Sequence, residues 1–450
     1  MNTPKNITIK NAWLCQLKEN SIEPIFGNLI IRDEKIHEIQ PSDFKAFLKQ
    51  YPDADDRAYN ANGRIITVPL VNFHEHFYSR LAKGLPSKGA MDTFLHILEN
   101  LWWKLDRALD LDMVYASAQM GVLESIRHGV TYVFDHHASP LETRDSLSVI
   151  KKVLDRYGLR GVLCFETSAR NGDELAQGGL DEFNHFAANH TNDEIKSMLG
   201  LHASFTLKDT TLQKAGQILQ NYDAGIHIHL CEDEIDRKMS VEKYRDLPVQ
   251  RLKKYHLLDS KSILSHGIHL SPDDYATISD SGSAIAYNPD SNLNNAVGLP
   301  DFNAAPKNIP ILIGTDGMHA NIARSMKQLF LLYRHQGNEM SEAFQWIQKI
   351  YFDQFKFVRQ YFPDFPQLSI GDRADLIIWD YIPPTPISTE NFWGHFIYGI
   401  LEYPIHSVIQ NGKFLMENKV IDGEDEVRKK IFSQGERLIE KFINQNKLSR

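Results

Sequence analysis

GRIITVPLVNFHEH, residues 63–76, is the stretch on which the fold turns. Its first nine residues form a nearly unbroken apolar run, the composition of a strand buried on both faces. The pair His74 and His76 follows at once. Seven further short apolar runs lie downstream, at 131–134, 161–165, 198–201, 226–230, 262–264, 283–286 and 309–313. Helix-like amphipathic segments are interleaved with them, at 93–105, 111–128, 147–157, 212–221, 248–255 and 272–279. Eight strands alternating with helices over roughly 250 residues predict an α/β protein built on a (β/α)8 TIM barrel, although an open doubly wound sheet gives a similar alternation.

Outside that region the texture changes to short strands and polar turns. Strand-like pieces fall at 7–9, 29–31 and 35–39, and again at 374–380, 405–410 and 413–417, the last two joined through Asn411-Gly412. The two clusters are expected to form one small composite β-sandwich domain from the N- and C-terminal segments, split in sequence by the barrel. The expected division is 1–64 and 368–425 for the β-domain, 65–367 for the barrel, and 426–450 for a charged C-terminal helix.

Composition narrows the function classes. The chain has 450 residues, 42% hydrophobic and 24% charged, with a formal charge of −9. An acidic chain without a basic cluster argues against nucleic-acid binding. No stretch approaches the ~20 apolar residues of a membrane helix, and residues 1–10 hold no run fit for a signal peptide. Three scattered cysteines, Cys15, Cys164 and Cys231, suit neither a disulfide framework nor a thiolate zinc site. A cytoplasmic location is the simpler reading.

The 19 histidines carry more information through their positions than their number. In a parallel barrel, chemistry gathers at the carboxyl ends of the strands. The first strand ends in His74-Glu75-His76. Residues i and i+2 share a face, so both imidazoles can reach one metal ion, or both can be buried, hydrogen-bonded histidines. The fifth run ends at His229, followed by Glu232; the sixth ends at His266; the eighth is followed by Asp316. Each has a plain alternative: a strand-end histidine bonded to backbone, a solvated glutamate, a helix N-cap. Together they offer a nitrogen-rich set suited to one divalent metal with an open position, zinc first and iron second.

The chain resembles the amidohydrolase superfamily, in its cytosine deaminase-like and chlorohydrolase-like branch. The pieces that carry the resemblance are VPLVNFHEH (68–76), HGVTYVFD (128–135), GLHASFTL (200–207), HIHLCED (227–233), ILSHGIHL (263–270), AYNPDSNL (286–293), IGTDG (313–317) and SIGDRADLIIWD (369–380). Within that branch NLWWKLDRALD (100–110), DHHASP (135–140) and CFETSARN (164–171) are most similar to aminohydrolases of the SsnA type. The resemblance implies His74, His76, His229 and Asp316 as metal ligands, with Asp316 also accepting a proton from the water. It implies Glu232 as proton shuttle, His266 as the group that orients water and, if protonated, stabilises the oxyanion, and His202 as a substrate contact. No lysine ends the fourth strand, which favours one metal over a pair bridged by a carboxylated lysine. His319 stands where relatives carry small polar residues, and contacts substrate or lies on the surface. His136 and Glu166, following strands two and three, are further candidates for substrate binding; local caps and loop salt bridges are their alternative. Glu75 is less usual than threonine between the ligand histidines.

The implied function is hydrolytic deamination of a small nitrogen heterocycle through a metal-activated water. Ring opening of a cyclic amide or ureide is the alternative chemistry, and a non-catalytic barrel in an assembly the alternative class. The expected partner is a small heterocyclic substrate, and family analogy implies a homodimer. Trp102, Trp103 and the aromatic stretch 351–365 mark either a dimer face or core.

Overall fold

The computed structural model describes residues 6–49 and 58–448, with side chains to 445. Residues 1–5, part of the opening stretch read above for a leader, lie outside the described residues, as do 50–57 and 449–450. Five strands open the chain: β1 (Ile7–Leu17), β2 (Ile22–Arg32), β3 (Lys35–Pro41), β4 (Tyr59–Asn60) and β5 (Ile65–Thr67). Nine follow: β6 (Leu70–Glu75), β7 (Val130–His137), β8 (Arg160–Phe165), β9 (Ile195–Ser197), β10 (Leu199–Ala203), β11 (Ile226–Leu230), β12 (Ile263–His266), β13 (Ala284–Tyr287) and β14 (Ile311–Ile313). The last are β15 (Leu376–Trp379), β16 (Ile405–Gln410) and β17 (Lys413–Met416).

Strands from the two ends of the chain share one sheet, in the order β17-β16-β15-β5-β1-β2-β3, with β4 on β1. The join is the antiparallel pair β5–β15, with Ile377 opposite Thr67. The apolar run at 63–71 is thus two strands, not one. Pro69 has no N–H to give a ladder, and the chain breaks there. β5 goes to this sheet and β6 begins another.

The remaining strands form β10-β11-β12-β13-β14 and β6-β7-β8-β9. The ladders through β10–β14 are all parallel. Every residue of β6, β7, β8, β12, β13 and β14 is buried, as expected of parallel strands covered on both faces. Helices separate them, among them Leu111–Arg127, Ser146–Tyr157, Asp173–Asn189, Asp209–Leu219 and Pro272–Ser281. Two single parallel bridges, Thr167 to Leu201 and Glu75 to Asp316, meet at the edges of these sheets without extending into ladders. By contact density the described residues fall into two units. One holds the chain to Val71 with Leu123–Tyr132 and Asn321–Gly423; the other holds Asn72–Val122, Val133–Ala320 and the chain from Glu424.

Candidate metal centre and active site

Parallel strands bring their carboxyl ends to one side, and the chemistry-bearing residues follow. His74 lies in β6 and His76 just past it, His229 in β11, and Asp316 shortly after β14. One ligand atom from each comes within 4.8 Å of all the others. The Nε2 of His76 is 3.1 Å from that of His229 and 2.8 Å from Asp316 Oδ1. The Nε2 of His74 is 3.5 Å from the same oxygen, buried and without a hydrogen bond.

The other ring nitrogens fix the tautomers. His76 Nδ1 donates to the carbonyl of His136 at 2.5 Å, and His229 Nδ1 to the carbonyl of His202 at 3.0 Å. A carbonyl only accepts, so each Nδ1 carries the proton and each Nε2 presents a lone pair. Two neutral imidazoles then aim lone pairs at each other across 3.1 Å, beside a carboxylate. That arrangement repels itself unless a positive charge sits within it. His74 Nδ1 meets His227 Nε2 at 2.9 Å; with His74 as the donor there, its Nε2 presents a lone pair to the cluster as well.

Burial pushes His74 and His229 well below the usual histidine range. Burial also opposes a charge on His76, but the Asp316 carboxylate outweighs it and raises this histidine to about 9. Without a metal, a proton on His76 supplies the missing positive charge. Burial works to raise Asp316 too, yet His74 and His76 hold it well below the carboxylate range. Ser291 donates to its second oxygen at 2.5 Å. Asp316 has φ +53° and His266 φ +74°, conformations that side-chain-bearing residues adopt at a cost and that gather at functional sites.

Glu232 stands beside this cluster. Burial and the nearby charge of Asp316 push its carboxyl well above the usual range, which favours its protonated form. Asn295 donates to Oε1 at 3.3 Å, and His266 Nε2 lies 3.6 Å from Oε2. Burial lowers His266 to about 4. The protonated His266 considered from sequence is therefore corrected: near pH 7 it is neutral. Its Nδ1 accepts from Asn292 at 2.8 Å, which leaves Nε2–H as a neutral donor facing Glu232.

A cavity opens over these groups, lined by His76, His229, Glu232 and Asp316 and walled by Phe94, Leu98, Trp102, Trp103 and Phe205. Leu98–Trp102 is a π-helical turn. Its wider winding brings adjacent Trp102 and Trp103 to the same cavity as Phe94 and Leu98. Glu166 and His202 line another wall. Arg170 donates to Glu166 at 2.9 Å and bonds Asp106. Burial would raise Glu166, but His202, His136 and Arg170 keep it well below its usual range. Burial lowers His202 to about 3, and its Nδ1 donates to Thr206 at 2.7 Å.

Two candidates stand apart from the cavity wall. β7 runs on to His137, so His136 is a fully buried strand residue, not a loop residue. Its Nε2 is shared between the carbonyls of Leu201 and His227, both at 3.1 Å, and its own carbonyl orients His76. His319 is absent from the lining, where Met318 stands instead; its Nε2 lies 3.3 Å from Asp290. Sequence reasoning missed Asn295, Ser291, Asp106 and His227. Only His227 had a visible signal, as the first histidine of His227-Ile228-His229.

The pattern of the amidohydrolase family matches residues 65–436. A 5'-deoxyadenosine deaminase of Methanobrevibacter smithii is 25% identical over 99% of this chain and 100% of its own length. A 5-methylthioadenosine/S-adenosylhomocysteine deaminase of Halothermothrix orenii is 30% identical over 66% of each. Among solved structures, a zinc-bound adenosine deaminase from Xanthomonas campestris superposes with a TM-score of 0.80 at 16% identity, covering 96% of this chain and 98% of that one. With a match over most of its length, this chain belongs to the amidohydrolase family.

Proposed function

We propose that the protein is a metal-dependent aminohydrolase that deaminates a small nitrogen heterocycle. The observation that carries this reading is the convergence of one imidazole nitrogen from each of His74, His76 and His229 on the Asp316 carboxylate, beside Glu232, whose carboxyl is pushed well above its usual range. Those four residues would hold one divalent ion, zinc before iron. An ion held there supplies Lewis acidity, lowering the pKa of water from 15.7 to about 7.

The chain's own groups do the rest. Asp316, held ionised, accepts the proton that the attacking water gives up. Glu232 donates its proton to the ring nitrogen beside the reacting carbon, which makes that carbon more electrophilic. The Nε2–H of His266 donates to the oxygen as charge develops on it. Trp102, Trp103 and Phe94 offer flat apolar surface to a ring and exclude water. Glu166 and His202 take the substrate's far side, while His136 acts through His76. His319 has no part in this reading. The relatives named above are deaminases of adenosine derivatives, which favours a purine nucleoside and loss of ammonia over ring opening. A complete ligand set disfavours a non-catalytic assembly role.

In this reading β6 to β14, with β9 and β10 counting as one strand, close into an eight-stranded barrel that begins after β5 and not at residue 65, because β5 pairs with β15; the terminal strands form a β-sandwich, and Glu424–Leu448 a terminal helix. The working form is a cytoplasmic homodimer; three buried free cysteines suit a reducing compartment.

Ammonia release from zinc-loaded protein, across adenosine derivatives, guanine and aminotriazines, tests the reaction. Ammonia from at least one is expected. A ring-opened product from a cyclic amide, with no ammonia from any amine, overturns it.

A further inference from the structure

We propose that Glu75, Arg80, Asn72 and Thr315 form a buried clamp that fixes Asp316 against His74 and His76, with Glu75 as its central positioning residue; this rests on the metal reading above. Strand alternation turns Glu75 away from the two histidines that flank it. It is nevertheless fully buried, so its charge requires partners. It has two. Arg80, itself buried in the 3-10 turn Phe77–Ala82, ion-pairs with one carboxylate oxygen, and the Asn72 amide donates to the other.

The same amide donates to Thr315 Oγ1 at 2.7 Å. Thr315 precedes Asp316, and the backbone N–H groups of both donate to the carbonyl of His74 at 2.9 Å. At this edge β6 and the chain after β14 pair through the bridge from Glu75 to Asp316, with no ladder among the described residues. A carboxylate at φ +53° therefore sits where a ladder is missing, and side chains supply the restraint. The Ser79 hydroxyl also reaches the carbonyls of His76 at 2.9 Å and of Gly317, the residue after Asp316, at 3.0 Å. Loosening Glu75 or Asn72 frees Asp316 to swing, which weakens the ion's hold without touching a ligand.

The test is zinc affinity by chelator competition, with the visible spectrum of the cobalt(II)-substituted protein as a report on ligand geometry. Asn72→Ala cuts the tie to Thr315 and leaves the ion pair whole. Glu75→Gln removes the central charge and its ion pair with the buried Arg80, so Glu75→Gln/Arg80→Met is measured beside it. Zinc affinity is expected to fall about 10–100-fold in all three, with an altered cobalt band. The double variant is expected to regain thermal stability over Glu75→Gln but not zinc affinity. Wild-type zinc affinity and cobalt spectrum in Asn72→Ala and the double variant, whatever their melting temperatures, overturn the clamp. A wild-type protein that holds no stoichiometric zinc and does not respond to His229→Ala overturns the metal reading itself, and is told apart by that control.

Discussion

Glu232, buried, and Asp316, half-buried, are carboxylic acids of one site, and their surroundings drive them apart. Asp316 faces two imidazoles, which favour its ionised form; Glu232 faces Asp316 and an amide, and the charge of Asp316 with burial favours its protonated form. A base and an acid a short distance apart are what addition of water to a C=N carbon requires: one group takes a proton from the nucleophile, the other gives one to the ring. The division predicts the phenotype of Glu232→Gln. The amide keeps the shape and the contact with Asn295 but has no acidic proton to give. Zinc content is expected to match wild type while kcat falls by about 10²–10⁴. Metal analysis beside steady-state kinetics reads both, and undiminished turnover removes Glu232 from the proton path.

At the scale of elements, the site depends on how closely the chain after β14 approaches β6. Gly314 makes that approach possible: a Cβ there would lie 2.3 Å from Asn288 Oδ1 and 2.5 Å from His74 Cβ. Neither neighbour has room to retreat, since both are fully buried. Gly314→Ala is expected to cost about 1–3 kcal/mol of stability and to cut zinc retention, because the displaced segment carries Asp316. A melting curve and a zinc assay on one preparation check both; an alanine variant with wild-type values would mean the two strands sit further apart. The positions of His74, His76, His229 and Asp316 were legible because period-two strands ending in polar residues leave a sequence signature. The break at Pro69 was also written in the sequence, as a missing N–H, but the apolar run around it hid it. The π-helical turn left no such mark: Phe94, Leu98 and Trp102 fit an ordinary helical face, and only the wider turn brings Trp103 to the cavity as well. His136 was misplaced because nothing in Asp135-His136-His137 says that β7 continues through a polar triplet buried by its neighbours.

For the whole molecule, the four proposed ligands come from segments far apart in the chain, at 74–76, 229 and 316. An ion held by them binds the folded chain and finds no comparable site in the unfolded one, so its binding energy adds to folding energy. With free zinc at 100 times its dissociation constant, the gain is about 2.7 kcal/mol. At about 2–4 °C per kcal/mol, the scale for domains of 150–250 residues, that raises the melting temperature by about 5–10 °C. The sign follows from the cluster's electrostatics: stripped of the ion, His76 and His229 face each other with only a proton to separate them from Asp316. Chelator-treated protein should therefore melt several degrees below the zinc-loaded form, and readdition of zinc should restore the difference. His229→Ala should melt at one temperature with or without zinc. A wild-type melting temperature indifferent to chelator and zinc alike would mean that the convergence of these side chains is held by protons, and that the deaminase reading has lost its metal.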